Sequence, residues 1–253
     1  MSEPLYCIEK LWKRFPDGTE ALKDINLELR DGTCTIIAGS NGSGKTLLMK
    51  SLVGLVDPSE GIIRYRGKPL REVITEVRQS VGLVFQDADA QIIGETVADD
   101  VAFGPKNLGL RGSELSFQVD EILKSLELIS KKEAPPRRLS GGEKRRLAVA
   151  GILAMGCSTV IMDEPFANLD YPGIIQVLTL IMHLKQEGKT VLVLTHELEK
   201  MLGLADRLII LHKGYICDDG DPEKVLNRLK PEYGIRDPRQ TYRSVKDCTW
   251  LIA

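Results

Sequence analysis

The sequence predicts an α/β fold: a mostly parallel central sheet, an antiparallel β region near the N-terminus, and a helical segment inserted between strands. Three observations carry this expectation. Short apolar runs, "TCTIIAG" (33–39), "STVIMDEP" (158–165) and "TVLVLTH" (190–196), alternate with stretches of helical apolar spacing, the pattern of a parallel sheet covered on both faces. A glycine-rich turn, "GSNGSGKT" (39–46), joins the first of these runs to a helix. Between residues 87 and 150 strand-like runs are scarce and helical spacing takes over.

In chain order, residues 5–35 read as strands. "LYCIEKLWKRF" alternates loosely, Asp17-Gly18 marks a tight turn, and "ALKDINLEL" alternates again before Asp31-Gly32. That hairpin pattern gives the antiparallel region. The run at 33–39 ends at glycine, and "KTLLMKSLVGL" (45–55) then has helical apolar spacing. "DPSEG" is a turn, "IIRYRG" a short strand, and "VGLVFQ" (81–86) another buried strand. Within the insertion, "VDEILKSLELI" places apolar residues at helical intervals and "APPRR" interrupts the helices. "GIIQVLTLIMHLKQEG" (173–188) is a helix, and "RLIILHKG" (207–214) is the last strand. Beyond Leu229, Pro231 and Pro238 break the periodicity, so the end of the chain reads as an appended, turn-rich tail.

The composition narrows the class. The chain has 253 residues, 43% of them hydrophobic and 28% charged, enough to bury a full core without covalent staples. A net charge of −2 gives no overall drive toward nucleic acid or anionic lipid. The five cysteines show no C-x-x-C spacing, which argues against a zinc site or disulfide framework and for a reducing compartment. The N-terminal "MSEPLYCIEKLWKRF" lacks the apolar stretch of a signal peptide. No apolar run approaches the length of a membrane span, so the chain is not expected to cross a membrane, which leaves docking onto a membrane protein open.

Residues Gly39, Ser40, Asn41, Gly42, Ser43, Gly44, Lys45 and Thr46 match G-x-x-x-x-G-K-[ST] in full, with a strand before and a helix after. Such a loop wraps backbone N–H groups around phosphates at a helix N-terminus. Lys45 is expected to reach the β- and γ-phosphates and the Thr46 hydroxyl to coordinate Mg²⁺. "TVIMDE" (159–164) puts Asp163 and Glu164 at the C-terminal end of a buried strand, where ligands of open α/β sheets bind. Asp163 is expected to hold Mg²⁺ and Glu164 to polarise an attacking water. Gln86 and His196 each close a strand. The Gln86 amide is placed to reach the metal or the water, and His196 to contact the γ-phosphate.

A second anion-type helix start occurs at "LSGGE" (139–143), followed by the basic run Lys144, Arg145, Arg146. That run suits a solvated helix face or pairing with acidic neighbours better than a nucleic-acid patch, because no aromatics are interleaved.

Together these motifs resemble, in order and spacing, the ATP-binding subunits of ABC transporters over about residues 5–228. The resemblance implies a P-loop NTPase fold occupying residues 1–229, with a helical subdomain at about 87–155 and a short tail at 230–253. It implies ATP and Mg²⁺ as ligands and ATP hydrolysis as the activity. It also implies that two subunits pair head to tail, so that Ser140, Gly141 and Gly142 of one complete the nucleotide site of the other. Asp170, in the "NLD" turn (168–170), would link the two sites. Phe15 stands where the family places an adenine-stacking aromatic, with core packing as the alternative. Glu143, Thr46 and Leu47 depart from the commonest family spelling, which has glutamine, serine and threonine there.

The segment "VGLVFQDADAQIIGETVADDVAFGPKNLGL" (81–110) is similar to the ATPases of energy-coupling-factor importers, which take up vitamins and transition metals. That implies a peripheral position on the cytoplasmic face of the membrane, beneath an integral membrane coupling protein. Asp87, Asp89 and Gln91 would offer that partner an acidic and polar contact, or else simply begin a helix. The second ATPase subunit is either another copy of this chain or a relative, and nucleic acid is not expected as a partner. A different ABC system is the alternative assignment.

Overall fold

The structure, a computed structural model, describes residues 3–239. The chain forms strands β1 (Tyr6–Arg14), β2 (Glu20–Leu29) and β3 (Cys34–Ala38), then helix α1 (Lys45–Leu52). Next come β4 (Glu60–Tyr65), β5 (Lys68–Pro69), α2 (Ile74–Ser80) and β6 (Val81–Val84). Helices α3 (Val97–Asn107), α4 (Gly112–Ser125) and α5 (Gly141–Ala154) follow without an intervening strand. The chain then continues through β7 (Thr159–Asp163), α6 (Tyr171–Gln186), β8 (Thr190–Thr195), β9 (Arg207–His212), β10 (Tyr215–Gly220) and α7 (Pro222–Leu226).

Two sheets result. The smaller has the order β2-β1-β4-β5 and is antiparallel, as the hairpin pattern predicts. The larger has the order β10-β9-β3-β8-β7-β6, with parallel pairing from β9 to β6 and an antiparallel edge strand, β10. Strands β3, β7 and β8 are buried along their whole length. This explains why they read as unbroken apolar runs: both faces of a parallel sheet are covered.

The two faces carry different cores. Ile36, Val160, Val191, Val193 and Ile210 point to the face covered by α3 to α6. Their neighbours Ile37, Ile161, Leu192, Leu194 and Ile209 point to the face covered by α1, α2 and the antiparallel sheet. The period of two along each strand thus divides one set of apolar runs between two cores.

Four short elements were not legible beforehand. Strand β10, "YICDDG", alternates exposed and half-buried residues at a sheet edge and has no apolar run. Strand β5 has only two residues, and α2 and α7 have seven and five, too few to show a helical period. The first part of the tail is more than an appendage. Tyr233 and Ile235 are buried in the core of the α5–α6 face, and the Tyr233 ring meets His212 at 5.7 Å between centroids. The rest of the expected tail, residues 240–253, lies outside the described residues.

One carboxylate ties the central strand to its surroundings. Asp206 accepts the Cys34 N–H (2.8 Å) and a bond from Lys185 at the end of α6 (2.6 Å). Asp206→Ala is expected to leave the buried Cys34 N–H without its acceptor and to destabilise the fold by about 1–3 kcal/mol, measured by urea denaturation.

Candidate active site

The loop between β3 and α1 is shaped by close approach. A Cβ on Gly39 would lie 2.3 Å from the Leu211 carbonyl oxygen of β9, so only glycine lets this loop leave the sheet as it does. Ser43 N–H donates to Ser40 O (3.1 Å), and Ser43 O accepts from Gly214 N–H (3.0 Å), which closes the turn. Gly44 caps α1 without a side-chain bond, and the first turn holds no acidic residue. The N–H groups of that turn have no acceptor within the helix and face outward with the positive end of its dipole, ready for an anion.

Strands β3 and β7 flank β8, so their C-terminal ends open on the same edge of the sheet. Lys45, 6% exposed, donates to Gly39 O (2.6 Å) and lies 3.4 Å from Glu164 Oε1. The Thr46 hydroxyl donates to Asp163 Oδ2 at 2.7 Å. His196, just beyond β8, brings Nδ1 to 3.0 Å from Glu164 Oε1. Glu164 has a left-handed backbone (φ 45°) and donates its N–H to Leu194 O of β8 (2.8 Å). A non-glycine residue in that conformation carries about 1–3 kcal/mol of strain, a cost typical of functional positions.

Burial lifts the Asp163 carboxyl above its ordinary range, and the charge of Glu164 adds to the rise; the Thr46 hydroxyl, Lys45 and Lys50 oppose it. Asp163 Oδ1 and Ser43 Oγ are buried without a hydrogen-bond partner among the described residues. Two carboxylates therefore stand against one buried ammonium, with an oxygen left open. Hard oxygen donors and a net negative charge fit a small divalent cation accompanied by phosphate.

The second helix start is built differently. Ser140 caps α5 in a full capping box: its hydroxyl accepts from Glu143 N–H (3.3 Å) and the Glu143 carboxylate accepts from Ser140 N–H (2.8 Å). Lys131 neutralises that carboxylate at 2.5 Å. A Cβ on Gly142 would fall 2.6 Å from the Gln176 amide oxygen and 3.2 Å from the Gly173 Cα, so α5 abuts α6 here.

Comparison with known proteins identifies the family and the fold. Residues 22–167 match the family described as ABC transporter. The chain belongs to the ABC transporter family. It is 39% identical to the energy-coupling factor transporter ATP-binding protein EcfA of Methanocaldococcus jannaschii, over 93% of this chain and 87% of that one. It is also 39% identical to the cobalt import ATP-binding protein CbiO of Rhodobacter capsulatus, over 93% of this chain and 86% of the relative. Among solved structures, cbiO1 from Clostridium perfringens, part of the ABC transporter complex cbiONQ, superposes with a TM-score of 0.83 at 34% identity, covering 91% of this chain and 93% of that one. This ABC protein is thus an ATP-hydrolysing transport ATPase of the energy-coupling-factor type, with the P-loop fold its motifs implied. No helix among the described residues is long and apolar enough to cross a membrane.

Within this ABC fold, Lys45, Thr46, Asp163, Glu164 and His196 come together as one group. Gln86 stands apart: it is exposed and lines a cleft of about 440 Å³ with Gly141, Lys144 and Asn168, without a hydrogen bond to Thr46, Asp163 or Glu164. Phe15 is 41% exposed on the β1–β2 turn, which excludes core packing. Asp170 spends its carboxylate on the N-cap of α6, accepting from Gly173 N–H at 3.0 Å.

The segment after Gln86 corrects two expectations. No helix begins there; Asp87 instead accepts from Asp89 N–H in a turn. The Gln91 amide is engaged within the chain: it donates to Leu83 O (2.8 Å) and accepts from Phe85 N–H (3.1 Å), pinning the loop to the end of β6. Of the two readings of the basic run, pairing with acidic neighbours holds for Lys144 and for Arg146, which lies 3.9 Å from Glu127, and the solvated face does not. Lys144 pairs with Asp89 (2.6 Å), while Arg145 and Arg146 are buried. Helix α5 packs on α3, α4, α6 and β6, so nearly every position on it is covered. The capping role of Glu143 was also missed, although the spacing Ser140-x-x-Glu143 is itself a capping-box signal.

Glu143→Ala is expected to destabilise the fold by about 1 kcal/mol through loss of the box. Burial tends to raise the Glu143 carboxyl, but Lys131 and the Ser140 N–H outweigh it and hold the group below its ordinary value. Its contribution is therefore complete above the unfolded value of about 4.3 and is lost as pH falls through the lowered one. The stability gap between wild type and variant, read by urea denaturation at stepped pH, should close in acid; a gap that widened in acid would contradict the assignment.

Proposed function

We propose that this chain powers the uptake of a transition-metal ion or vitamin, coupling ATP-driven closure of a subunit pair to an integral membrane partner. The observation that carries the reading is the cluster of Lys45, Thr46, Asp163, Glu164 and His196 beside the uncapped start of α1. The names of the relatives, a cobalt import protein and energy-coupling-factor ATPases, support the substrate class. They also support a peripheral position at the cytoplasmic face of the membrane. Asp87 and Asp89 are exposed on the segment proposed to meet the membrane partner, with Asp89 partly balanced by Lys144.

In this reading the N–H groups of residues 39–46 hold the β- and γ-phosphates of ATP, and Phe15 stacks on the adenine. Lys45 moves from its pairing with Glu164 to the γ-phosphate and balances the charge that develops there. Thr46 and Asp163 would hold Mg²⁺, joined by Gln86 once its loop closes on the site, and the ion would neutralise phosphate charge. Glu164, released from Lys45 and oriented by His196, accepts a proton from the water that attacks the γ-phosphorus, while the bond to the β–γ bridging oxygen breaks and ADP leaves. Ser140, Gly141 and Gly142 of a second subunit close the site, with the start of α5 facing the γ-phosphate. Asp170 holds the start of α6 against that face and links the two sites. The partner is a second copy of this chain or a relative of it.

Two variants separate these roles. Glu164→Gln should bind ATP normally and hydrolyse it about 10²–10⁴-fold more slowly. Lys45→Ala should lose a charge-assisted bond of about 1.5–3 kcal/mol and bind ATP about 10- to 100-fold more weakly. Steady-state hydrolysis and equilibrium titration with a fluorescent ATP analogue read both. Wild-type turnover by Glu164→Gln would remove its role as base.

A further inference from the structure

The basic run of α5 contains one cation that the nucleotide site does not explain. Arg145 is 4% exposed, five residues beyond the Ser140 cap. Its two neighbours have acidic partners: Lys144 pairs with Asp89, and Arg146 lies 3.9 Å from Glu127. Arg145 makes no ion pair within 4.0 Å among the described residues. Its guanidinium instead forks between two backbone carbonyls, donating Nη1–H to Phe85 O (2.9 Å) and Nη2–H to Ala167 O (3.3 Å).

Those carbonyls belong to separate segments. Phe85 directly precedes Gln86, and its N–H is already held by Gln91. Ala167 directly precedes the turn Asn168-Leu169-Asp170, and Asn168 there has a left-handed backbone (φ 59°). The fork therefore bridges the Gln86 loop to the Asp170 turn and anchors both on the helix that starts at Ser140. Gln86, Gly141, Arg145 and Asn168 line the cleft that separates these three parts.

A buried cation without a carboxylate partner is costly, and an apolar side chain of similar length would be cheaper. Burial accordingly pulls the Arg145 guanidinium below its usual value, opposed by the more distant charges of Asp87 and Asp163. A core residue chosen for stability alone would not need this charge. A planar fork with two separate donor nitrogens suits carbonyls on two different segments, whereas lysine gives all its N–H groups from one nitrogen and lacks that fixed spread.

We propose that Arg145 is a positioning residue that locks the Gln86 loop, the Asp170 turn and the Ser140 helix start into one body, so that a change at the nucleotide of one subunit moves the face presented to the other. This rests on the roles proposed above for Gln86, Asp170 and Ser140. It adds the link between the site a subunit carries and the site it completes on its partner.

The test uses the full chain with Mg²⁺ and ATP, and the variants Arg145→Met and Arg145→Lys. Both should bind ATP within about twofold of wild type, since Arg145 touches no residue of the phosphate loop. Both should lose about tenfold or more in kcat without a matching change in KM, equivalent to about 1.4 kcal/mol in the barrier. Backbone hydrogen exchange at residues 86–92 and 167–170 should rise together in both variants and stay unchanged elsewhere on the sheet. Arg145→Lys keeps the charge and guards against misfolding of the methionine variant. Full rescue by lysine would assign the effect to charge and overturn the bridge. Wild-type kcat in either variant, or faster exchange in only one of the two segments, would also overturn it. If the wild-type chain failed to hydrolyse ATP, the function reading would fall, while the exchange result would still decide the bridge.

Discussion

The structure turns on a charge pair placed where few proteins tolerate one: the Lys45 ammonium and the Glu164 carboxylate, both nearly buried, 3.4 Å apart at the edge of the main sheet. Such a pair is poor evidence for stability, because removing two charges from water cancels most of their attraction. It is a good arrangement for a site that exchanges partners. In the proposed reaction, an incoming phosphate gives Lys45 a stronger acceptor and frees Glu164 for a water molecule. Everything that fixes the two strand ends then serves this exchange: the β3–β8–β7 pairing, the Glu164 N–H bonded to β8, and the close approach of Gly39 to β9.

The sheet is covered differently on its two faces, and that asymmetry organises the rest. Helix α1 and the antiparallel sheet lie on one side and carry the phosphate loop and Phe15. Helices α3 to α6 lie on the other and carry the Ser140 cap and the Asp170 turn. The loop after β6 is fastened to the end of β6 by Gln91, to α5 by the pair Asp89–Lys144 and to α3 by Asp100. The Arg145 fork sits where these parts converge.

Much of this was legible because burial on both faces leaves a plain signature. Strands β3, β7 and β8 are unbroken apolar runs, and the chemistry-bearing residues fall at their ends, so sequence order alone placed Lys45, Asp163 and Glu164 on one edge. Strand β10 escaped notice because an edge strand with one wet face, written "YICDDG", has no such run. Gln91 escaped because a side-chain amide that completes a backbone ladder looks, in sequence, like any polar loop residue. The enclosure of the two arginines in the basic run escaped for a different reason. Periodicity says which face of a helix is apolar, but α5 is covered nearly all round, and no spacing rule tells a buried cation from a solvated one. The small and apolar residues on every side of "EKRRLAVAGILA" were the available hint that its arginines would be enclosed.

Assembly is part of the proposed catalytic site: the start of α5 is capped and shaped within one chain, yet is proposed to serve a nucleotide held by another. The most direct measurement is a mixing experiment with Lys45→Ala and Ser140→Arg chains. Each alone is expected to be inactive, the first for want of a phosphate-binding lysine and the second because its α5 start is blocked. In a mixed pair, one site joins the intact phosphate loop of the Ser140→Arg chain to the intact Ser140–Gly142 of the Lys45→Ala chain. Recovery of Mg²⁺-dependent ATP hydrolysis on mixing is the predicted result. A mixture as inactive as its separate components would contradict a site shared between two copies of this chain.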